Sequence, residues 1–401
     1  MKADSHSPFK HHYRYYELKN RKSQVRTALL EIFDRNGFIH LFIIALVVTC
    51  SVIYGLWYAF LYPAILLVLE LVNYVGGVSI FNPEKRIQRG YVVSAFFNDS
   101  LFGQGIDYGF NFYNGDYSKS RVKAQSDKFK YASKQLNLEP GMWVIDIGCG
   151  CGDWLDYLQS NGMNVVGINI TGVQVEVCRS RCLDVVWINW KDIGINKQLQ
   201  KKLFGKFDAV TFWDTVEHYV PMKDRENVSA QDEIYSDMFS LAHKLIRPDS
   251  KSQKVFMSCL HQRRNILRQK MSIKKFKTMY YCYLLDTFHS GYYPDGETDQ
   301  LAQNAKDYFE LEHRLDTTKD YYMTSMLEPT HFGTHRFKWN VKRIALAVLF
   351  LLTDYCWLQR IIWYKSSIWM WQFDKNNIEN SDMVHWWLTF KHVANTEAVS
   401  S

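Results

Sequence analysis

Residues 144 to 152 read Val-Ile-Asp-Ile-Gly-Cys-Gly-Cys-Gly, an apolar run that ends in an acid and passes directly into glycines at Gly148, Gly150 and Gly152. An apolar stretch met by such a turn reads as a buried strand of an open α/β sheet, in which ligands bind beyond the strand carboxyl ends. Each glycine removes a side chain where the backbone must take positive φ or approach a ligand. The spacing is G-x-G-x-G with Asp146 upstream, which departs from the G-x-G-x-x-G of dinucleotide sites. Dinucleotide loops set a pyrophosphate on a helix N-terminus. A loop with an upstream acid and no accompanying lysine suits S-adenosylmethionine, a cation without phosphate.

The residues that follow repeat the unit. Residues 153–161 are a helix-length segment, and Asn-Val-Val-Gly-Ile-Asn at 164–169 is a second apolar strand, giving strand, helix, strand at βαβ spacing. A third apolar stretch, 185–188, leads into Asn189-Trp190-Lys191-Asp192, and a fourth, 207–213, into Asp214-Thr215-Val216-Glu217-His218. Polar residues therefore recur just past strand ends, the edge where such a sheet binds its ligands.

In this order the motifs resemble the cyclopropane-fatty-acid synthase and mycolic acid cyclopropane synthase group of S-adenosylmethionine-dependent methyltransferases. The resemblance rests on Leu138-Glu139-Pro140-Gly141-Met142, the loop from Asp146 to Gly152, Gly167-Ile168-Asn169-Ile170-Thr171 with Gln174, Asn189 to Asp192, Val216-Glu217-His218 and Gly291-Tyr292-Tyr293-Pro294-Asp295-Gly296. It continues to Ile368-Trp369-Met370-Trp371-Gln372-Phe373 and covers residues 100 to 375. It implies a Rossmann-like seven-stranded sheet with helices on both faces. It also implies that Asp146, Gly148, Gly150 and Gly152 hold the amino-acid end of the cofactor, that Asn169, Thr171 and Gln174 lie near the ribose, and that Asn189 and Trp190 lie near the adenine. Asn189 stands where the family usually has Asp, and an amide carbonyl accepts the same hydrogen bond; Trp190 is equally accounted for by core packing.

The family's site binds bicarbonate as a base, held by a Cys, a Glu, a His, an Ile and a Tyr. Glu217 matches the Glu and Tyr321 the Tyr, whereas Phe110 falls on the Cys, and the His falls on Cys259 with His261 two residues later. The bicarbonate cradle is thus incomplete, and Glu217, Tyr321 and His261 are the expected catalytic residues. Alkylation of an isolated alkene leaves a carbocation, which aromatic faces stabilise and from which a base removes a proton. Phe110, Phe112, Tyr113, Trp213, Tyr281, Tyr292 and Tyr321 are candidate walls. Glu217 in an aromatic pocket would have a raised pKa.

Outside this region, residues 38–62 contain no charge and exceed the roughly 20 residues that cross a bilayer. Pro63 interrupts them, and residues 64–81 form a second apolar stretch charged only at Glu70. Basic residues precede and follow the pair, Arg26 and Arg35 before, Lys85, Arg86 and Arg89 after. The expectation is a transmembrane hairpin with both ends cytosolic, or one span plus an interfacial helix. The chain then divides into a basic cytosolic segment (1–37), an anchor (38–81), a catalytic domain (82–375) with a lid insertion at 263–335, and a polar tail (376–401) in which Trp386 and Trp387 form no assignable pattern.

The net charge of +7 on 401 residues suits contact with anionic lipid. No nucleic-acid motif is present, and the basic residues concentrate beside the apolar spans. The eight cysteines are dispersed without metal-ligand spacing, which fits a reduced cytosol, and no metal is expected. Arg263, Arg264, Arg268, Lys270, Lys274, Lys275 and Lys277, followed by Met279 to Tyr283, read as a basic, aromatic lid on a membrane or as a solvated helix face. A membrane-anchored methyltransferase acting on an unsaturated acyl chain is the expectation, with an N- or C-methyltransferase of a smaller hydrophobic metabolite, or a catalytically inactive cofactor-binding scaffold, as alternatives.

Overall fold

The computed structural model describes residues 110–263, 291–327 and 381–393, with residue 87 besides. Seven strands form one sheet in the order β3-β2-β1-β4-β5-β7-β6. They are β1 (Trp143–Ile147), β2 (Asn164–Asn169), β3 (Val185–Trp187), β4 (Ala209–Trp213), β5 (Lys254–Gln262), β6 (Phe309–Asp316) and β7 (Met383–His392). The first five run parallel, whereas β7 lies antiparallel to both β5 and β6. A parallel strand covered on both faces cannot alternate polar with apolar residues; all nine residues of β5 are buried, and β1 exposes only part of Trp143.

Eight α-helices flank the sheet among the described residues: α1 (Arg121–Gln135), α2 (Asp153–Ser160), α3 (Gly172–Ser180), α4 (Trp190–Ile193), α5 (Lys197–Leu203), α6 (Val228–Leu245), α7 (Gln300–Ala305) and α8 (Thr318–Leu327). Phe129, Leu155 and Cys178 from α1, α2 and α3 join one core layer, while Leu199, Phe239 and Leu301 from α5, α6 and α7 join the other. The longest, α6, buries Gln231, Tyr235, Met238, Phe239, Ala242 and Leu245, a stripe at helical spacing. Ser120, Asn196 and Asn227 cap α1, α5 and α6 by accepting backbone N–H groups that the first turn leaves unpaired.

Two expected boundaries are corrected here. The segment read as a polar tail contributes β7, a central strand that pairs with β5 over nine residue pairs from Lys254 and Lys391 to Gln262 and Met383. Its partner is far away in sequence, and burial on both faces erases the alternation that marks a strand. The span read as a lid insertion, 263–335, contains β6, α7 and α8, so this part belongs to the sheet layer. The basic part of that span at 264–290 lies outside the described residues, as do the apolar stretches at 38–81. Among the described residues no helix is long and apolar enough to cross a membrane.

Candidate active site

Three glycines shape the turn after β1 in two different ways. Gly148, Gly150 and Gly152 have φ of +87°, +52° and +85°. A Cβ on Gly148 would stand 2.4 Å from Thr215 Oγ1, and one on Gly152 would stand 2.5 Å from Leu183 Cδ1. A Cβ on Gly150 would meet no heavy atom within 4 Å. The outer glycines serve close packing of the turn, and the middle one presents bare backbone to open space.

Asn169, at the end of β2, ties this turn down. Its Nδ2 donates to Gly150 O at 2.9 Å and to Gln174 Oε1 at 3.0 Å, while Oδ1 accepts the Thr171 N–H at 2.9 Å. These contacts make Asn169 a positioning residue. Thr171 Oγ1 and Gln174 Nε2 are buried and have no partner among the described residues. A buried polar atom left unpaired costs about 1–3 kcal/mol, so a hydroxyl donor beside an amide donor marks a seat for a hydroxylated ligand. A ribose diol fits it.

Asn189 and Trp190 open the short helix α4. The Asn189 side chain caps it by accepting the Lys191 N–H at 3.1 Å. Trp190 is buried, its ring 4.7 Å from that of Tyr219 and joined to the core. Most of the indole therefore packs inside, in keeping with the core alternative.

Asp146 lies under the glycine turn, buried, with Oδ1 accepting from Thr211 Oγ1 at 2.7 Å. Thr211 Oγ1 in turn accepts the Trp154 indole N–H at 3.1 Å. Burial raises the Asp146 pKa to about 7, against the opposing influence of the Thr211 hydrogen bond and the Lys128 charge. A carboxyl poised in this way ionises when a cationic ligand arrives. Lys128 itself is buried on α1, its Nζ 5.0 Å from the Phe129 ring and 5.1 Å from the Trp213 ring.

A second polar group sits past β4 and β5 on the same sheet edge. The last β4–β5 pair is Trp213 with Ser258, so Leu260 has no opposite residue in β4. Glu217 Oε1 accepts the Leu260 N–H at 2.8 Å, and Oε2 has no hydrogen-bond partner among the described residues. Burial first, and then the nearby Asp214 charge, push the Glu217 carboxyl well above its usual range, which favours its protonated form. Gly291 packs on its backbone: a Cβ there would stand 1.9 Å from Glu217 O. That contact explains the glycine that opens the Tyr-Tyr-Pro segment.

Tyr321 stacks on Phe110 at 3.4 Å between ring centroids, and both rings face His385, at 5.0 and 5.5 Å. Of the other candidate aromatics, Phe112 and Trp213 pack on Trp387 in the core, and Tyr292 is fully buried. His261 is not brought to Asp214 and Ser258. Its Nδ1 lies 3.0 Å from Cys259 O and its ring packs against Trp386 at 4.6 Å. Burial lowers its pKa to about 3, which leaves it a neutral packing group.

The residues that sequence reading left out of the site are Asp214, Ser258 and His385. Ser258 Oγ donates to Asp214 Oδ1 at 2.5 Å, and His385 Nε2 lies 2.9 Å from the same oxygen. Position past β4 was a signal for Asp214. His385 had none, because it reaches Asp214 across 171 positions of sequence through β7.

The family model for mycolic acid cyclopropane synthetase matches residues 80–341, well over half of the chain. The chain belongs to this family. Over 182 residues it is 28% identical to the cyclopropane-fatty-acyl-phospholipid synthase of Escherichia coli (strain K12), covering 44% of this chain and 43% of that one. It is 40% identical over 60 residues to the S-adenosylmethionine-dependent methyltransferase UmaA of Mycobacterium tuberculosis, 15% of this chain and 21% of that one. The chain therefore spans less than half the length of these relatives. The mycolic acid cyclopropane synthase CmaA1 complexed with SAH and CTAB superposes with a TM-score of 0.58 at 16% identity, over 77% of this chain and 98% of that one. The cyclopropane synthase MmaA2 from Mycobacterium tuberculosis gives 0.57 at 17% identity, over 78% and 99%. These structures share the fold.

Proposed function

We propose that this chain is an S-adenosylmethionine-dependent methyltransferase that modifies an unsaturated lipid acyl chain, by cyclopropanation, methylenation or methylation. The observation that carries the reading is the pairing, on one sheet edge, of an open cofactor turn with a buried, half-paired carboxyl and stacked aromatic rings. S-adenosylmethionine supplies a sulfonium-bound, electrophilic methyl group when bound. The chain's own part is to place it: the open backbone at Gly150 and the carboxyl of Asp146 suit the amino-acid end, and Thr171 and Gln174 suit the ribose hydroxyls. Phe110 and Tyr321 present π faces that favour a developing positive charge over water. Family membership supports a lipid acceptor, since the names of the relatives include a fatty-acyl-phospholipid synthase. The uncharged run at 38–62 between basic flanks supports a membrane anchor with the catalytic domain facing the cytosol.

Cells expressing the chain and fed methyl-deuterated methionine are expected to accumulate labelled acyl chains, read by lipid mass spectrometry. A gain of two deuterons marks a ring or methylene product and three marks simple methylation. Asp146→Ala serves as the control without cofactor. Label confined to headgroup amines or to a small soluble acceptor would replace the acyl reading with the smaller-metabolite one.

Glu217→Gln preserves the acceptor for the Leu260 N–H and removes an ionisable group whose pKa burial raises. Cofactor affinity is expected to stay within about threefold, while turnover falls about tenfold or more because the amide can neither take nor give up a proton in the site. Wild-type turnover in this variant would remove Glu217 from the mechanism.

A further inference from the structure

Burial favours the protonated form of Glu217, and a neighbouring carboxyl is placed to act as the base. Asp214 follows β4 directly and adopts φ of +46°, a conformation that favours glycine. Its Oδ1 is held from two sides, by Ser258 Oγ at 2.5 Å and by His385 Nε2 at 2.9 Å. The fully buried His385 is itself locked: Nδ1 lies 2.7 Å from Thr317 Oγ1, and its backbone N–H donates to Thr318 Oγ1 at 3.0 Å. Nε2 also lies 3.1 Å from Ser258 Oγ. All side-chain contacts fall on Oδ1, and Oδ2 accepts no hydrogen bond from the described residues. The Phe110 and Tyr321 rings both pack against His385, at 5.5 and 5.0 Å between ring centroids.

Electrostatics separates the two carboxyls. Burial opposes ionisation of Asp214, but the His385 hydrogen bond and charge, with Ser258 and Lys128, outweigh it and hold its pKa below the usual range. Glu217 is pushed the other way. Two carboxyls driven apart in this manner are the pattern of an acid and a base sharing one site.

We propose that Asp214 Oδ2 is the proton acceptor of the reaction, a carboxylate carried by the chain itself, with His385 and Ser258 as positioning residues that aim it. The proposal rests on the acyl-modifying reading above. The carbocation on the acyl chain loses a neighbouring C–H proton. The C–H electron pair closes the ring or the double bond, and the proton bonds to Oδ2, which becomes a neutral acid that water recharges. A proton next to a carbocation is acidic enough for a weak base, so the lowered basicity of Asp214 is no obstacle. The incomplete bicarbonate cradle, with Phe110 at the expected Cys position, fits a site that carries its own anion.

The test uses full-length protein in vesicles of monounsaturated phospholipid, with methyl-deuterated S-adenosylmethionine. Asp214→Gly keeps the positive φ without strain and opens room for a small carboxylate. Acyl labelling is expected to fall about 100-fold or more, with affinity for S-adenosylhomocysteine unchanged and with formate restoring part of the rate. His385→Gln is expected to lower kcat at constant KM and to divert product toward hydroxylated chains, as water captures the carbocation. In ¹⁵N-histidine spectra of the ligand-free protein, a low-field His385 imidazole proton is expected in the wild type and not in Asp214→Gly. Wild-type labelling in Asp214→Gly would overturn the proposal, as would a loss that formate does not relieve, or one accompanied by loss of S-adenosylhomocysteine binding. Wild-type label that reaches only amines would instead overturn the acyl reading, and the proposal with it.

Discussion

Gly291→Ala is expected to eliminate turnover and to lower the thermal unfolding midpoint by about 6–12 °C. The added methyl would sit 1.9 Å from Glu217 O, 2.8 Å from Glu217 C and 2.7 Å from His218 Cα. All three are backbone atoms of a 3₁₀ turn, Val216–His218, so no rotamer change relieves the overlap. Relief requires the turn to move, which carries Glu217 away from Leu260 and disturbs the Val220–Tyr292 bridge, where the Tyr292 N–H donates to Val220 O at 2.8 Å. Overpacking costs up to about 3 kcal/mol or more, and each kcal/mol moves the midpoint of a domain of this size by about 2–4 °C. Calorimetry with a turnover assay checks both parts. A variant with wild-type stability and turnover would show that the Tyr-Tyr-Pro segment does not seat Glu217. Gly194→Ala, at a glycine that likewise lacks a positive φ and whose added Cβ would come no nearer than 3.7 Å to Lys191 O, is the matched control.

Asp146→Ala is expected to weaken cofactor binding about 100-fold, because a carboxylate hydrogen bond to a charged partner is worth about 1.5–3 kcal/mol. Normal affinity in this variant would sink the assignment of the turn. Asp146→Asn separates charge from shape, since its carbonyl still accepts from Thr211. The Asp146 pKa of about 7 in the folded state lies above 3.8, its value in the unfolded chain. Between those values the folded state holds a proton that the unfolded state has released. Stability therefore falls as pH rises from about 4 to about 7, by an amount of order 3–4 kcal/mol relative to Asp146→Asn. Cofactor affinity runs the opposite way. A cationic ligand selects the ionised carboxylate, so affinity is expected to rise toward pH 7 and level off above it, and to lose that slope in Asp146→Asn. Titration calorimetry of S-adenosylhomocysteine from pH 5 to pH 8 checks the sign; a flat profile in the wild type would exclude Asp146 as the coupled group.

The apolar runs of β1 to β4 and the turn at Gly148 to Gly152 were legible in the sequence because local chemistry dictates them. A strand buried on both faces must be apolar along its length, and a turn with positive φ at alternate positions needs glycine. Glu217, Thr171 and Gln174 were legible for a related reason, since each lies within a few residues of a strand end. Asn169 was read as a cofactor residue, and its three hydrogen bonds make it a brace for the turn.

Only the tertiary structure decided the rest of the site. His385 meets Asp214 because β7 inserts between β5 and β6 and sets His385 opposite Leu260. No local pattern records that choice, since a strand in the sheet interior carries no polar alternation and its partners lie far away along the chain. His261 and Ser258 were separated by the same geometry: side chains alternate along a strand, so residues three apart leave opposite faces, and only Ser258 looks toward Asp214. The pKa values of Asp146, Asp214 and Glu217 likewise belong to the folded molecule. Three carboxyls of similar intrinsic acidity part company only when burial, His385, Lys128 and the ends of the strands surround each of them differently.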